Sequence, residues 1–511
     1  MQEYVTELSR YGIAACGVCY VLAGLIALFR EKMGGIYVLQ NLLLFLMQLL
    51  FFGNLLLVSG NLQYVLYYVF VQIFLLVAVL VVPMIYEHVD RLLLQHMCML
   101  IGCGFCILSR LFFEKAVRQY LYVLVTLSIS LVIPYLLNRF RFWKKLTWIY
   151  GAVGILLLGT VLVAGEQTYG SRLSFSIGDI TFQPSEFVKI LFVLFVAGAL
   201  WEKRTFHRVA LTGVVAGIHV GILVLSKDLG SALVFFVGYV FLVFVATGNP
   251  LYLLAGAAGG SVASYGAFRV FGHVQSRVLA WMDPWTYIDG KGYALTQSLF
   301  AIGSGSWFGM GLMQGNPTAI PFVESDFIFS ALCEELGVLF GICMLLVMLV
   351  SFLDMMKMAA KIRDRFYQLV VYGFGILYIF QIFLTVGGGI RLIPLTGVTL
   401  PFVSYGGSSV MATMFMFFFV QGIYIRLQQE GGRYAEKRKR TFAGDSAGRK
   451  GPGYGQPGQK EPGKGGSGPK EARPGEPGQK EPGEKRPGPK EARPGEPGQK
   501  EPGDRNQSQR G

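Results

Sequence analysis

The chain has 511 residues, of which 53% are hydrophobic and 15% charged, with a formal net charge of +14. Its apolar residues exceed what one soluble core needs and come in runs of about 20, the length that crosses hydrocarbon, while the absence of short alternating segments argues against a β-barrel. Lys and Arg fall mostly in short loops and in the C-terminal segment, which positive-inside topology explains more simply than nucleic-acid binding does.

In chain order the pattern predicts thirteen membrane spans, near 11–29, 36–58, 64–86, 92–109, 119–137, 146–164, 187–201, 209–225, 229–247, 251–270, 327–353, 366–386 and 403–425. The expected fold class is therefore an all-α polytopic membrane protein. The basic groups Arg30/Lys32, Arg139/Arg141/Lys144/Lys145, Lys203/Arg204/Arg208, Lys357/Lys361/Arg363/Arg365 and Arg433 with Lys437 to Arg440 then share one side, the cytoplasm. That count puts the N-terminus outside and the C-terminal tail in the cytoplasm. Two features strain it: Arg110, Lys115 and Arg118 fall on the outer side, and the second span carries Gln40, Asn41, Gln48 and Asn54. If that span failed to cross, the N-terminus would change sides.

The seven cysteines all lie in apolar runs, and Cys16-x-x-Cys19 and Cys103-x-x-Cys106 lack the second ligand pair of a zinc site, so they read as packing residues. The scattered histidines form no metal motif. The N-terminal MQEYVTELSRYG has no basic n-region and reads as uncleaved. From residue 431 the composition turns to Gly, Pro, Lys and Glu, with GPKEARPGEPGQKEPG at 468–483 and again at 488–503. Such a segment has too little apolar surface to fold and is expected to be a disordered cytoplasmic tail, with a partner or anionic-lipid tether as the alternative.

Four polar clusters fall on the outer side: 182–189, 226–230, 277–337 and 387–409. A Glu186-x-x-Lys189 pair at a span entrance supports either a buried site or plain helix stabilisation with Lys189 snorkelling outward. Ser226-Lys227-Asp228 is a tight turn or a charged site, and 387–409 is too rich in Gly and Pro for a continuous helix. Carboxylates at a membrane edge are functional candidates, and 277–337 holds Asp283, Asp289, Asp326, Glu334 and Glu335. Trp281, Trp285 and Trp307 read as interface anchors rather than sugar platforms. Together the clusters suit a ligand with an apolar tail in the bilayer and an anionic head outside.

Five stretches, FQPSEFVK at 182–189, KDLGSALVFF at 227–236, RVLAWMDPW with GKGYALTQSLFAIGSG at 277–305, ESDFIFSALCEELG at 324–337 and PLTGVTLPFVSYGGSS at 394–409, resemble the SEDS family (shape, elongation, division and sporulation), whose members include FtsW, RodA and SpoVE. The resemblance covers roughly 92–425. It implies about ten core spans at 91–430, with a large outer loop at 271–326, an extra three-span module at 1–90 and the tail at 431–511. It also implies a peptidoglycan glycosyltransferase that polymerises lipid II at the outer face of the bacterial cytoplasmic membrane, in division, elongation or sporulation. The implied partners are a class B penicillin-binding protein and other divisome or elongasome membrane proteins, with no nucleic acid.

By the same resemblance Asp326 is the catalytic carboxylate, and Glu186, Lys189, Lys227, Asp228, Gln297, Arg391, Ser404, Gly406 and Gly407 are substrate-binding candidates. The chain departs from the family at Pro321-Phe322-Val323-Glu324-Ser325-Asp326, where members often have Pro-Glu-x-His-Thr-Asp, and at Lys227, where Pro is common. Asp326 would act as base in an inverting displacement, with Lys189, together with Lys227, Arg391 or a divalent cation (Mg or Mn), opposing the departing diphosphate. Readings from other classes are a lipid II flippase or transporter, and a non-catalytic scaffold for the penicillin-binding protein.

Overall fold

The computed structural model describes residues 2–30, 34–168, 171–177, 180–202 and 204–448. The apolar runs become helices in chain order: α1 Gln2–Phe29, α2 Gly34–Ser59, α3 Gln63–Ile85, α4 Arg91–Leu111, α5 Phe113–Ser130, α6 Val132–Arg139, α7 Thr147–Ala164 and α8 Pro184–Leu200. They continue as α9 Phe206–Leu225, α10 Leu229–Thr247, α11 Leu251–Val270, α12 Gly272–Met282, α13 Tyr293–Gly305, α14 Ile328–Lys361, α15 Arg365–Gly389 and α16 Gly407–Gly448. Short side chains set several starts. Asp90, Asp228 and Asp364 accept from the N–H groups of Leu93 at 3.0 Å, Ser231 at 3.0 Å and Phe366 at 3.1 Å. Pro134 lacks an N–H and crowds the turn before it, which accounts for the interruption between α5 and α6 within one span.

Among the described residues twelve helices are long and apolar enough to cross a membrane. The thirteenth expected span is α8, whose 17 residues rise only about 25 Å and fall short of the full hydrocarbon thickness. Three short antiparallel strands were not anticipated: β1 Glu166–Thr168, β2 Ser171–Ile177 and β3 Ile180–Phe182, in the order β1-β2-β3. Phe175 pairs with Phe182 at the entrance to α8. The backbone of α16 runs past the expected boundary at 430 to Gly448. The repeat tail, Lys32 and Lys203 lie outside the described residues, as do the side chains of Arg433 and Lys437 to Arg440.

The extra N-terminal helices wrap α4, whose residues from Leu92 to Ser109 are all buried. This explains the polar second span. Asn54 exchanges hydrogen bonds with Thr6 and Ser9 at 3.2 and 2.7 Å, Gln48 accepts from the Cys106 thiol at 3.1 Å, and Asn41 accepts from Gln95 at 2.8 Å. Its polar side chains thus face protein rather than lipid. All seven cysteines are free, and six are buried as packing residues.

The loops gather at two opposite ends. At one end Lys144 pairs with Asp364 at 2.6 Å, Lys357 donates to the Leu28 carbonyl at 2.7 Å and Arg426 donates to the Tyr367 hydroxyl at 3.0 Å. The other end collects β1–β3, the turn before α10, the segment between α11 and α14 and the loop 390–406.

Candidate active site

The site is built on a broken helix. Gly337 inside α14 has φ 89°, a left-handed conformation that interrupts the helical ladder. The backbone groups freed there are taken up by the segment after α13: Met310 N–H donates to Glu334 O at 2.8 Å, Gly311 N–H to Glu335 O at 3.1 Å, Val338 N–H to Ser306 O at 2.9 Å and Leu339 N–H to Trp307 O at 3.1 Å. Irregular backbone at this depth is tolerable because its polar groups are satisfied by protein. The approach is so close that a Cβ on Gly309 or Gly337 would collide with the opposing backbone.

Glu334 and Glu335 brace this splice. Glu335 pairs with Arg110 at 2.9 Å and accepts from Met313 N–H at 2.7 Å, and Glu334 accepts from Asn316 N–H at 2.8 Å. The cations that strained the topology are therefore accounted for: Arg110 is held by Glu335, and Lys115 pairs with Glu324 at 2.6 Å. Arg118 hydrogen-bonds the Tyr405 hydroxyl.

Asp326 stands two residues before the start of α14, half-buried. The loop 390–406 holds its approach: Ser404 Oγ donates to Ser325 O at 2.6 Å, and Tyr405 N–H donates to Glu324 O at 2.8 Å. At Gly397, with φ 77°, a Cβ would lie 3.7 Å from Asp326 Oδ2 and 3.5 Å from Arg277 Nη2, so the carboxylate and the guanidinium border the same gap. Burial pushes the Asp326 carboxyl up to about 6, against the opposing charge of Arg277 and the Ser325 hydrogen bond, with Glu324 adding a smaller upward push.

A second group lies behind it. Glu186 and Lys189, one helical turn apart on α8, pair at 2.7 Å, both buried, and Lys189 donates to Gln381 Oε1 at 2.9 Å. Lys189 does not snorkel outward; this corrects the plain helix-support alternative. Gln381 donates to Thr399 O at 2.9 Å, and Thr399 Oγ1 donates to Ser409 Oγ at 2.7 Å. Asp228 accepts from Ser185 Oγ at 3.3 Å, and burial holds its carboxyl above the usual range. The loop 390–406 thus connects both groups.

The other expected site residues divide. Lys227 is exposed at φ 62°, a backbone angle closed to proline, so the turn departs from the family's common Pro in conformation as well as charge. Arg391 is committed elsewhere: Nε and Nη2 donate to the carbonyls of Trp281 at 3.0 Å and Met282 at 2.7 Å, while Trp281 Nε1 donates back to Arg391 O at 3.1 Å. It fastens α12 and does not face Asp326. Gln297 is half-buried on α13 without a hydrogen bond among the described residues.

Gly406 N–H donates to Gln119 Oε1 at 3.3 Å, Gly407 packs against the Tyr122 ring, and the Ser404 hydroxyl serves the backbone as described. Asp283 takes the Thr286 hydroxyl at 2.6 Å and so forms a turn instead of joining Asp326. Trp285 and Trp307 are exposed, whereas Trp281 is tied down. Arg277 and Gln381 escaped sequence reasoning. Arg277 opens the family-like stretch 277–305, but its relation to Asp326 runs through Leu395 to Gly397, more than a hundred residues away.

Fold and site together define a polytopic membrane protein with two linked polar groups, around Asp326 and around Lys189, at one end of the helix bundle. The chain belongs to the FtsW, RodA and SpoVE family of cell cycle proteins, which it matches across residues 92–429. It is 31% identical over 354 residues to the peptidoglycan glycosyltransferase RodA of Mycobacterium tuberculosis, covering 64% of this chain and 76% of that protein. It is 32% identical over 337 residues to the probable peptidoglycan glycosyltransferase FtsW of Aliivibrio salmonicida, covering 63% and 83%. A chain solved in work on a peptidoglycan synthase complex that coordinates polymerization and crosslinking superposes with a TM-score of 0.58 at 28% identity, over 67% of this chain and 99% of that one. A variant of the rod shape determining protein RodA of Thermus thermophilus superposes at 0.51, with 26% identity, over 66% and 97%.

Proposed function

We propose that this protein is a peptidoglycan glycosyltransferase that polymerises lipid II at the outer face of the cytoplasmic membrane, with a class B penicillin-binding protein as its cross-linking partner. The observation that carries the reading is Asp326: a half-buried carboxylate with its carboxyl raised to about 6, its approach held by the loop 390–406, beside a cation. A group with that pKa is ionised at neutral pH and still basic enough to accept a hydroxyl proton. The attacking sugar hydroxyl gives its proton to Asp326, its oxygen bonds to the anomeric carbon, and the bond from that carbon to the diphosphate oxygen breaks with inversion.

The end bearing Lys144, Lys357 and Arg426 is the cytoplasmic one, which puts the Asp326 end, and the N-terminus, outside. No three metal-ligating side chains converge among the described residues. A divalent cation would therefore be held by Asp326 and substrate phosphate oxygens, not by a protein cage. Both polar groups lie at one end, which favours an enzyme over a flippase.

The test is polymerisation of lipid II by the purified, membrane-inserted chain. Asp326→Asn should remove glycan polymer while leaving the fold intact; near-normal polymer from that variant would refute the assignment.

A further inference from the structure

A departing diphosphate needs cations, and two of the three side chains expected for it are engaged elsewhere. Lys189 is closed between Glu186 and Gln381, and Arg391 lies on the carbonyls of Trp281 and Met282. We propose that Arg277 of α12, with His273 one turn before it and Lys227 from the turn before α10, forms the binding site for the diphosphate of a lipid-linked substrate; this rests on the reading of the chain as a lipid II polymerase.

Arg277 is exposed, yet it is not loose. Its Nη1 donates to Leu395 O at 3.2 Å and to Thr396 O at 2.9 Å, which fixes the plane of the guanidinium. Nη2 carries no hydrogen bond among the described residues and borders the gap over Gly397, 3.5 Å from where a Cβ would stand. A guanidinium held by one nitrogen and open at the other presents a rigid fork to phosphate oxygens. Asp326 Oδ2 lies 3.7 Å from the same point, so the base and the guanidinium border one gap.

Two polar atoms nearby are buried without a partner among the described residues: Thr396 Oγ1 and His273 Nε2. The first belongs to the residue whose carbonyl anchors Arg277; the hydroxyl can donate to an anionic oxygen, as can the imidazole in its Nε2–H tautomer. A third element closes the site. Gly230, in the first turn of α10, packs so tightly against Thr396 O that a Cβ there would lie 2.8 Å away. That brings the turn with Lys227 alongside, where its ammonium is exposed and makes no hydrogen bond or ion pair among the described residues. His273 senses both neighbours: burial first, then the charges of Arg277 and Lys227, hold its imidazole below the usual range. Arg277 and Lys227 bring two positive charges to a place where Asp326 is the one carboxylate shown beside them, so an arriving anion is attracted.

The experiment uses the purified full chain and undecaprenyl diphosphate as probe, with undecaprenol as the phosphate-free control and inorganic diphosphate as the lipid-free one. Wild type and Asp326→Asn should both bind undecaprenyl diphosphate in preference to undecaprenol. Arg277→Ala should weaken that binding at least tenfold and Arg277→Lys should recover part of it. Lys227→Ala, at an exposed position where loss of fold does not enter, should weaken it severalfold and flatten its salt dependence. Competition by inorganic diphosphate should be weaker in Arg277→Ala than in wild type.

Binding by Arg277→Ala within twofold of wild type, or equal binding of undecaprenol and its diphosphate by wild type, would overturn the proposal. Polymerisation by Asp326→Asn would instead refute the assigned reaction, and the binding measurements would still decide the role of Arg277.

Discussion

Arg110 and Glu335 form an ion pair of 2.9 Å that joins the first helix of the family core to the broken half of α14, with the Glu335 side chain wholly buried. Because Glu335 also holds the Met313 N–H, the pair supports the splice on which Asp326 is mounted. Removing one partner leaves an uncompensated buried charge, at a cost of about 3–5 kcal/mol. Arg110→Ala should therefore lower the thermal unfolding temperature sharply, whereas Arg110→Met with Glu335→Gln should recover much of it. Equal losses in the single and double variants would show that the charges are not coupled.

The N-terminal module touches the same splice. Arg10 Nη1 donates to Gly309 O at 2.9 Å, and the rings of Tyr11 and Phe308 stand 5.1 Å apart. Arg10→Ala deletes a charged donor to a carbonyl, an interaction of about 1.5–3 kcal/mol. Faster hydrogen exchange at the 309–311 amides is expected, with little change in the helices of the opposite end. Unchanged exchange there would mean that α1 packs beside the loop without holding it.

Lys189 and Glu186 make a paired, buried unit, so their separate removal should hurt more than their joint replacement. Lys189→Met alone should destabilise the chain and abolish polymer. Lys189→Met with Glu186→Gln should regain folding yet remain inactive if the charges serve substrate. A double variant of normal activity would assign the pair to structure alone.

The sequence and structure part company where long-range backbone decides the outcome. Apolar runs of helical length announced the spans, and even the polar second span formed, because Gln48 and Asn54 meet partners on α4 and α1. The β1–β3 sheet is hard to read from sequence because two of its strands have only three residues and the third only seven, too short to stand out between apolar spans. The α14 break was hidden because Gly337 sits in an apolar run and its replacement partners, Ser306 to Gly311, lie far back in the chain. Asp326 was legible from its motif, but Arg277 was not. Arg391 is the lone cation of a Gly- and Pro-rich loop, and only the fold shows its Nε and Nη2 bonded to the carbonyls of Trp281 and Met282.

Asp326 ties stability and activity to pH in opposite directions. Its carboxyl is raised from 3.8 to about 6 in the folded chain, chiefly by burial. The folded state therefore holds the proton more tightly than the unfolded one, and stability falls as pH rises from about 4 to about 6, then levels off. The full shift corresponds to at most about 3 kcal/mol, less in a half-buried, partly solvated site.

Asp326→Asn does not titrate, so its advantage in unfolding temperature over wild type should open between those pH values, persist at pH 7 and vanish near pH 4. Activity runs the other way. The base works only when ionised, so polymerisation by wild type should drop about tenfold per pH unit below about 6. Arg277 opposes the rise, so Arg277→Ala should move that acid limb to higher pH. Stability curves for wild type and Asp326→Asn that run parallel from pH 4 to 7 would show that Asp326 is not held in the raised state.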